Sequence, residues 1–156
     1  GYTTGGFSIS VTDYWFNGGA GYFHYGSHNT NHTFEAQIGY DFGPLALNWY
    51  TNFAGTDGVN NEGDRAYSSY ISATVPFTLA GLEWTAEIGA TPWGTDFYNY
   101  SEAPVCNGSN GFAVCDISLG AAKEIRITDS FSVPAFAKVT VNPRTEGAYF
   151  VFGLSF

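Results

Sequence analysis

Eight segments of roughly ten residues in this chain place apolar side chains at every second position. Period two is the mark of a β-strand with one apolar and one polar face. The plainest case is Thr33 to Phe42, where Phe34, Ala36, Ile38, Tyr40 and Phe42 oppose Glu35, Gln37, Gly39 and Asp41. Before it, Phe7 to Phe16 sets Phe7, Ile9 and Val11 against Ser8, Ser10 and Thr12. After it, Leu45 to Ala54 sets Leu47, Trp49 and Phe53 against Asn48, Tyr50 and Asn52. Tyr67 to Phe77 then opposes Ile71, Ala73 and Val75 to Tyr70, Ser72 and Thr74. Leu82 to Pro92 opposes Trp84, Ala86 and Ile88 to Glu83, Glu87 and Gly89. Phe112 to Ile127, Phe131 to Val141 and Ala148 to Phe156 complete the set. Such a chain has to be all-β.

The connections alternate in length. Those after the first, third and fifth segments are long (17–31, 55–65 and 93–111), while Gly43-Pro44, Leu79-Ala80-Gly81 and Thr128-Asp129-Ser130 are tight turns. The link Asn142 to Gly147 is intermediate. An even number of ten-residue strands with short turns at one end and long loops at the other is the layout of a small transmembrane barrel. Closing the sheet would satisfy every backbone hydrogen bond in lipid.

Composition agrees. Charged residues make up 12% of the chain, about half the share usual in a water-soluble protein. Aromatics reach 19%, yet no run approaches the ~18 apolar residues of a spanning helix. A net charge of −9, with only Arg65, Lys123, Arg126, Lys138 and Arg144 to meet phosphate, excludes nucleic acid as a partner. The absence of methionine and the opening on Gly1 suggest a mature chain whose export signal has been removed; a cloning boundary would look the same. At this length, 1–156 reads as a single domain.

The last segment, AYFVFGLSF, carries apolar Ala148, Phe150, Phe152, Leu154 and Phe156 in alternation up to the final residue. It resembles the closing strand of bacterial outer-membrane β-barrels, and the whole layout is similar to the eight-stranded OmpA/OmpX type, with texture like that of TorF-like porins. The resemblance implies an antiparallel up-and-down barrel in the outer membrane, both termini periplasmic. It also implies that Phe150, Phe152, Leu154 and Phe156 form the signal read by the barrel-assembly machinery. The bilayer and that machinery are the implied partners, with a protein partner in a larger outer-membrane complex.

Alternation does not say which face is inside, because a soluble lipocalin-like barrel turns its apolar rows inward. Three features favour apolar rows outward. The polar rows lack the Lys and Arg of a water-facing sheet. They carry small residues (Gly39, Ser72, Gly89, Ser118, Gly120) suited to a cramped bore. Aromatics (Trp15, Phe34, Phe42, Trp49, Phe53, Phe77, Trp84, Trp93, Phe156) gather near segment ends, as interfacial girdles do. Four residues depart from the pattern: Asp13 falls on an apolar row and calls for a bulge, Lys123 would snorkel to the headgroups, Pro134 calls for a break, and Phe136 would pack inside.

In that arrangement Glu35, Gln37, Asn48, Tyr50, Tyr70, Glu83, Glu87, Asp116, Glu124 and Lys138 meet as a polar network filling the bore. Eight strands leave room only for side chains, so the expected function is structural or interactive, through loops 17–31, 55–66 and 93–111 or the outer wall. A narrow cation or proton channel is the first alternative. A lipid-modifying enzyme at the rim is the second, with His32, Ser68 or Ser69, and Glu35 of the right types but in no ordered motif. No catalytic residues, cofactor or metal are assigned. His24, His28 and His32 recur every four residues, but their Gly- and Asn-rich stretch is a poor helix. Asp57, Asn60, Glu62 and Asp64 lack EF-hand spacing. In an exported protein, Cys106 and Cys115 would form one disulfide pinning the CNGSNGFAVC loop; two unpaired thiols is the alternative. The sequons at Asn31, Asn99 and Asn107 would matter only in a eukaryotic secretory route.

Overall fold

A computed structural model describes the chain except residues 17, 20, 27–29, 61, 96, 98–110 and 156. Its strands are β1 (Tyr2–Thr4), β2 (Phe7–Trp15), β3 (His32–Asp41), β4 (Ala46–Gly55), β5 (Ser69–Leu79), β6 (Leu82–Thr91), β7 (Ala113–Thr128), β8 (Phe131–Asn142) and β9 (Gly147–Leu154). They form one antiparallel up-and-down sheet in chain order, without helices among the described residues.

Two expectations need correction. There are nine strands among the described residues, not eight: Tyr2–Thr4 folds back on β2 with Tyr2 opposite Ile9. Three residues are too few for periodicity to register, but Gly5 and Gly6, at φ 53° and 85°, supply the reversal. The other difference is at the ends. Each strand pairs only with its sequence neighbours, so β1 and β9 are the sheet edges, and no pairing between them occurs among the described residues. The eight expected segments correspond to the long strands β2–β9, with bounds moved by one or two residues. Phe156, the last residue of the expected assembly signal, lies outside the described residues; Phe150, Phe152 and Leu154 lie on β9 and are exposed.

The register aligns side chains of one kind across the sheet. Tyr40, Leu47, Ala73, Ile88, Ile117, Val141 and Ala148 face one another strand to strand. So, one residue along and on the other face, do Ser8, Gly39, Asn48, Ser72, Gly89 and Asp116. Burial divides between these rows in the reverse of the water-soluble order. Ile38, Leu47, Trp49, Ile88, Leu119, Val139, Phe150 and Phe152 are exposed, whereas Asn52, Ser69, Ser72 and Ser118 are buried. The sheet therefore covers its polar face and presents its apolar one. A soluble barrel with a greasy interior would have the opposite arrangement.

Turns sort by end. Ala80 and Gly81, both at positive φ, make the two-residue β5–β6 hairpin, and Asp41 Oδ1 accepts from Gly43 N–H at 2.7 Å in the β3–β4 turn. The long connections lie at the other end. Aromatics collect at both: Phe77 stacks on Trp84 (6.1 Å, 8°) near the short turns, and Trp49 meets Trp93 (5.7 Å) near the long loops.

Two of the misfit residues, Asp13 and Pro134, resolve differently from expectation. Asp13 needs no bulge: β2 and β3 pair without a register shift, Asp13 opposite Phe34, and the carboxylate stays on the apolar row. Pro134 breaks nothing either, and β8 runs straight through it opposite Glu124. Its carbonyl points toward the β9 edge, accepting from Ser155 N–H at 2.9 Å. The missing N–H would face Ser155, one residue past the end of β9, so the proline removes a bond only at the margin of the ladder. The register shift in this pair lies instead between Arg126 and Thr128. Phe136 pairs with Gly153 and covers it, so that a Cβ there would sit 2.6 Å from the ring. Lys123 is exposed on the apolar row opposite Ala135, toward the short-turn end.

Candidate functional site

The polar face brings most of the expected network together. Gln37 is its best-connected member: Nε2 donates to Ser8 Oγ (3.0 Å) and Asn48 Oδ1 (3.1 Å), while Oε1 accepts from Ser10 Oγ (3.1 Å). All four residues lie on the covered rows of adjacent strands, where register alone makes them neighbours. Further along, Glu87 accepts from Tyr70 Oη (3.2 Å) and Thr74 Oγ1 (3.4 Å), and the Tyr50 and Tyr70 rings lie 6.1 Å apart. Glu35 accepts from Tyr14 Oη at 3.2 Å. Asp116 accepts from the Ser118 hydroxyl, which also meets Thr140 Oγ1 at 2.9 Å.

Three expected members stand apart. Glu83 and Glu124 are exposed toward the short-turn end, and Lys138 is half-buried opposite Gly120 with no ion pair among the described residues. In their place come the hydroxyls of Ser8, Ser10, Tyr14, Thr74, Ser118 and Thr140. Their position on the same polar rows is the signal that would have found them; a search weighted toward charge passes over hydroxyls.

Between the Gln37 and Glu87 clusters lies a cavity of about 300 Å³ lined by Tyr14, Glu35, Asn48, Tyr50, Ser72 and Glu87. It is polar, and tyrosine hydroxyls already donate to both its carboxylates. This is an interlocked polar lining. Such a network rigidifies the covered face of the sheet because each buried acceptor already has a donor.

Small residues make the fit. The Tyr70 ring lies over Gly89 so closely that a Cβ there would come within 1.9 Å of its hydroxyl. Gly89→Ala should destabilise the fold by about 1–3 kcal/mol through overpacking. Combining it with Tyr70→Ser should return much of that loss. Denaturant titration of the two single variants and the double measures the coupling, and simple additivity would show that Tyr70 does not press on Gly89.

At the long-loop end the linkages are different. Asp57 is buried and accepts from Asn52 Nδ2 (3.2 Å) and Ser68 N–H (3.1 Å), with Arg65 Nε at 3.7 Å. Asn60 Oδ1 accepts from the backbones of Glu62 (2.9 Å) and Asp64 (3.0 Å). Two of the four side chains considered for calcium, Asp57 and Asn60, thus spend their oxygens on the loop's own bonds. No group of three or more potential metal ligands occurs among the described residues, and His28 lies outside them. The lipid-editing candidates are not joined by any of these bonds. Ser68 pairs with Thr95, Ser69 donates to Tyr67 O (2.9 Å), and both His32 nitrogens are engaged elsewhere. The thiol of Cys115 is free and buried; Cys106 lies outside the described residues, so the expected disulfide is not among the described bonds.

No protein-family model matches the sequence, and no curated protein or solved structure matches it either. Fold and site define the class by themselves: an all-β antiparallel meander with an exposed apolar face and a covered, hydrogen-bonded polar one.

Proposed function

We propose that this chain is a small outer-membrane barrel of the OmpA/OmpX architectural type, with a plugged polar bore, acting as a structural or interaction protein through its external loops. The observation that carries this reading is the inverted burial: exposed apolar rows and covered polar rows on eight long antiparallel strands. An even number of long strands leaves β2 and β9 antiparallel, so their edges can pair and seal the cylinder. The short arm β1, bound to β2 over three residues, gives up that edge on closure. The two aromatic groups then mark the interfaces. The Gln37 and Glu87 clusters fill the lumen, which is why the barrel serves as a scaffold and not as a pore.

Membrane fractions decide the first part. The protein should leave the membrane only with detergent and migrate differently before and after boiling. A chain that is soluble without detergent and insensitive to heating would sink the assignment. Planar-bilayer recording addresses the bore: a silent bilayer is expected, and discrete cation-selective steps would replace the plug with a narrow channel.

A further inference from the structure

Asp13 and His32 occupy the apolar face of the sheet, where a charge is expensive, yet they form a side-chain ion pair between strands. His32 Nδ1 lies 2.8 and 3.0 Å from the two Asp13 carboxylate oxygens, joining β3 to β2. His32 Nε2 lies 2.5 Å from the carbonyl oxygen of Tyr22, in the long β2–β3 loop. The side chain is fully covered. Tyr25 stacks on the imidazole at 4.3 Å and 24°, Phe34 lies on it at 6.0 Å and 16°, and Tyr22 meets it edge-on at 5.2 Å. The backbone is also tied down, with Thr56 N–H donating to His32 O at 2.6 Å.

Neutral imidazole has one N–H and one lone pair, whereas imidazolium has two N–H donors. Here both nitrogens face groups that only accept. In the neutral form, one lone pair would have to point at a carboxylate or a carbonyl oxygen in a water-excluded pocket. Imidazolium satisfies both contacts, neutralises Asp13, and gains from the Tyr25 ring stacked on it.

We propose that His32 is a proton-operated pin that fastens the Tyr22–Tyr25 part of the β2–β3 loop over the end of the sheet, holding it down when the ring is charged and releasing it when the proton leaves. The surrounding groups give the sign. Asp13 faces the ring from β2, and the Tyr22 and Tyr25 hydroxyls belong to the loop. Glu35 on β3 is bound by Tyr14 on the opposite face. From the neighbouring loop, the Arg65 guanidinium donates to Gly55 O (2.8 Å) and pairs with Asp57. Asp13 is therefore the charge in direct contact with the ring, and it favours the bound proton. Docking is tightest in acid and weakens as pH rises through the titration of His32. This inference goes beyond the membrane reading and does not depend on it, because the pair and its loop can be assayed in any refolded preparation.

Proteolysis of the loop tests it. Wild-type protein and His32→Phe, which keeps the stacking but has no proton to lose, are digested with proteinase K, and cleavage around Tyr22, Phe23 and Tyr25 is timed. The ratio of the two rates cancels the protease's own pH dependence. At pH 5.5 the variant should be cut about tenfold faster, in keeping with the loss of hydrogen bonds to a charged group. By pH 9 the rates should converge. Asp13→Asn should move the convergence to lower pH. If the Phe variant does not fold, His32→Gln supplies the same comparison with a side chain that does not titrate. A rate ratio that is the same at both pH values, or an Asp13→Asn profile identical to wild type, would overturn the proposal.

Discussion

Arginine in place of Ile88 is expected to cost the inserted protein about 2–4 kcal/mol, the penalty for that side chain near the middle of a barrel's lipid-facing wall. Ile88 is 49% exposed, between Ala73 and Ile117 on the apolar row. It borders an apolar depression of about 600 Å³ shared with Ile38, Trp49, Ala73 and Phe112. In a water-soluble sheet, a residue this open could be changed to arginine for within about 0.5 kcal/mol, with better solubility. The two environments predict results several-fold apart from one substitution. Urea titration of the protein folded into vesicles gives the number. A neutral effect would mean that the apolar face meets water or a protein partner, and the reading as a membrane barrel would fall.

Gly55→Ala should be comparably severe, for a reason confined to the backbone. Gly55 ends β4 at φ 75°, and a Cβ there would lie 2.0 Å from the carbonyl oxygen of His32. That oxygen already accepts from Thr56 N–H, and the Gly55 carbonyl accepts from Arg65, so neither chain is free to retreat. The left-handed conformation costs about 1–2 kcal/mol and the collision about 1–3 more, or roughly 2–5 kcal/mol together. Because the clash is with main chain, no second-site truncation should relieve it. This distinguishes it from Gly89, whose obstacle is the tip of Tyr70. Stability equal to wild type in denaturant would show that the two chains approach less closely than described.

The polar network was largely readable in advance because it follows from the parity of each residue in its strand. Gln37, Asn48, Tyr70 and Glu87 lie on the polar rows, and once register is set they cannot avoid one another. Parity says nothing about how far along the sheet a residue sits, so Glu83 and Glu124 were grouped with partners they do not reach. Asp13 fails in a more instructive way. An acid on an apolar row reads as a register fault from sequence, because its partner, His32, lies nineteen residues on at the far side of a long loop. Pro134 likewise reads as a break from sequence, whereas its position opposite Ser155, just past the end of β9, is what lets the strand continue.

By itself the sequence determined the all-β class, the eight long strands, their order and the assignment of each residue to an apolar or a polar face. The physical basis is local, since side chains alternate across any extended backbone whatever lies beyond it. Only the tertiary structure decided which face is covered, that Tyr2–Thr4 adds a ninth strand, and that His32 closes over Asp13. Those outcomes depend on curvature, register and loop path, which arise from contacts between residues far apart in the chain.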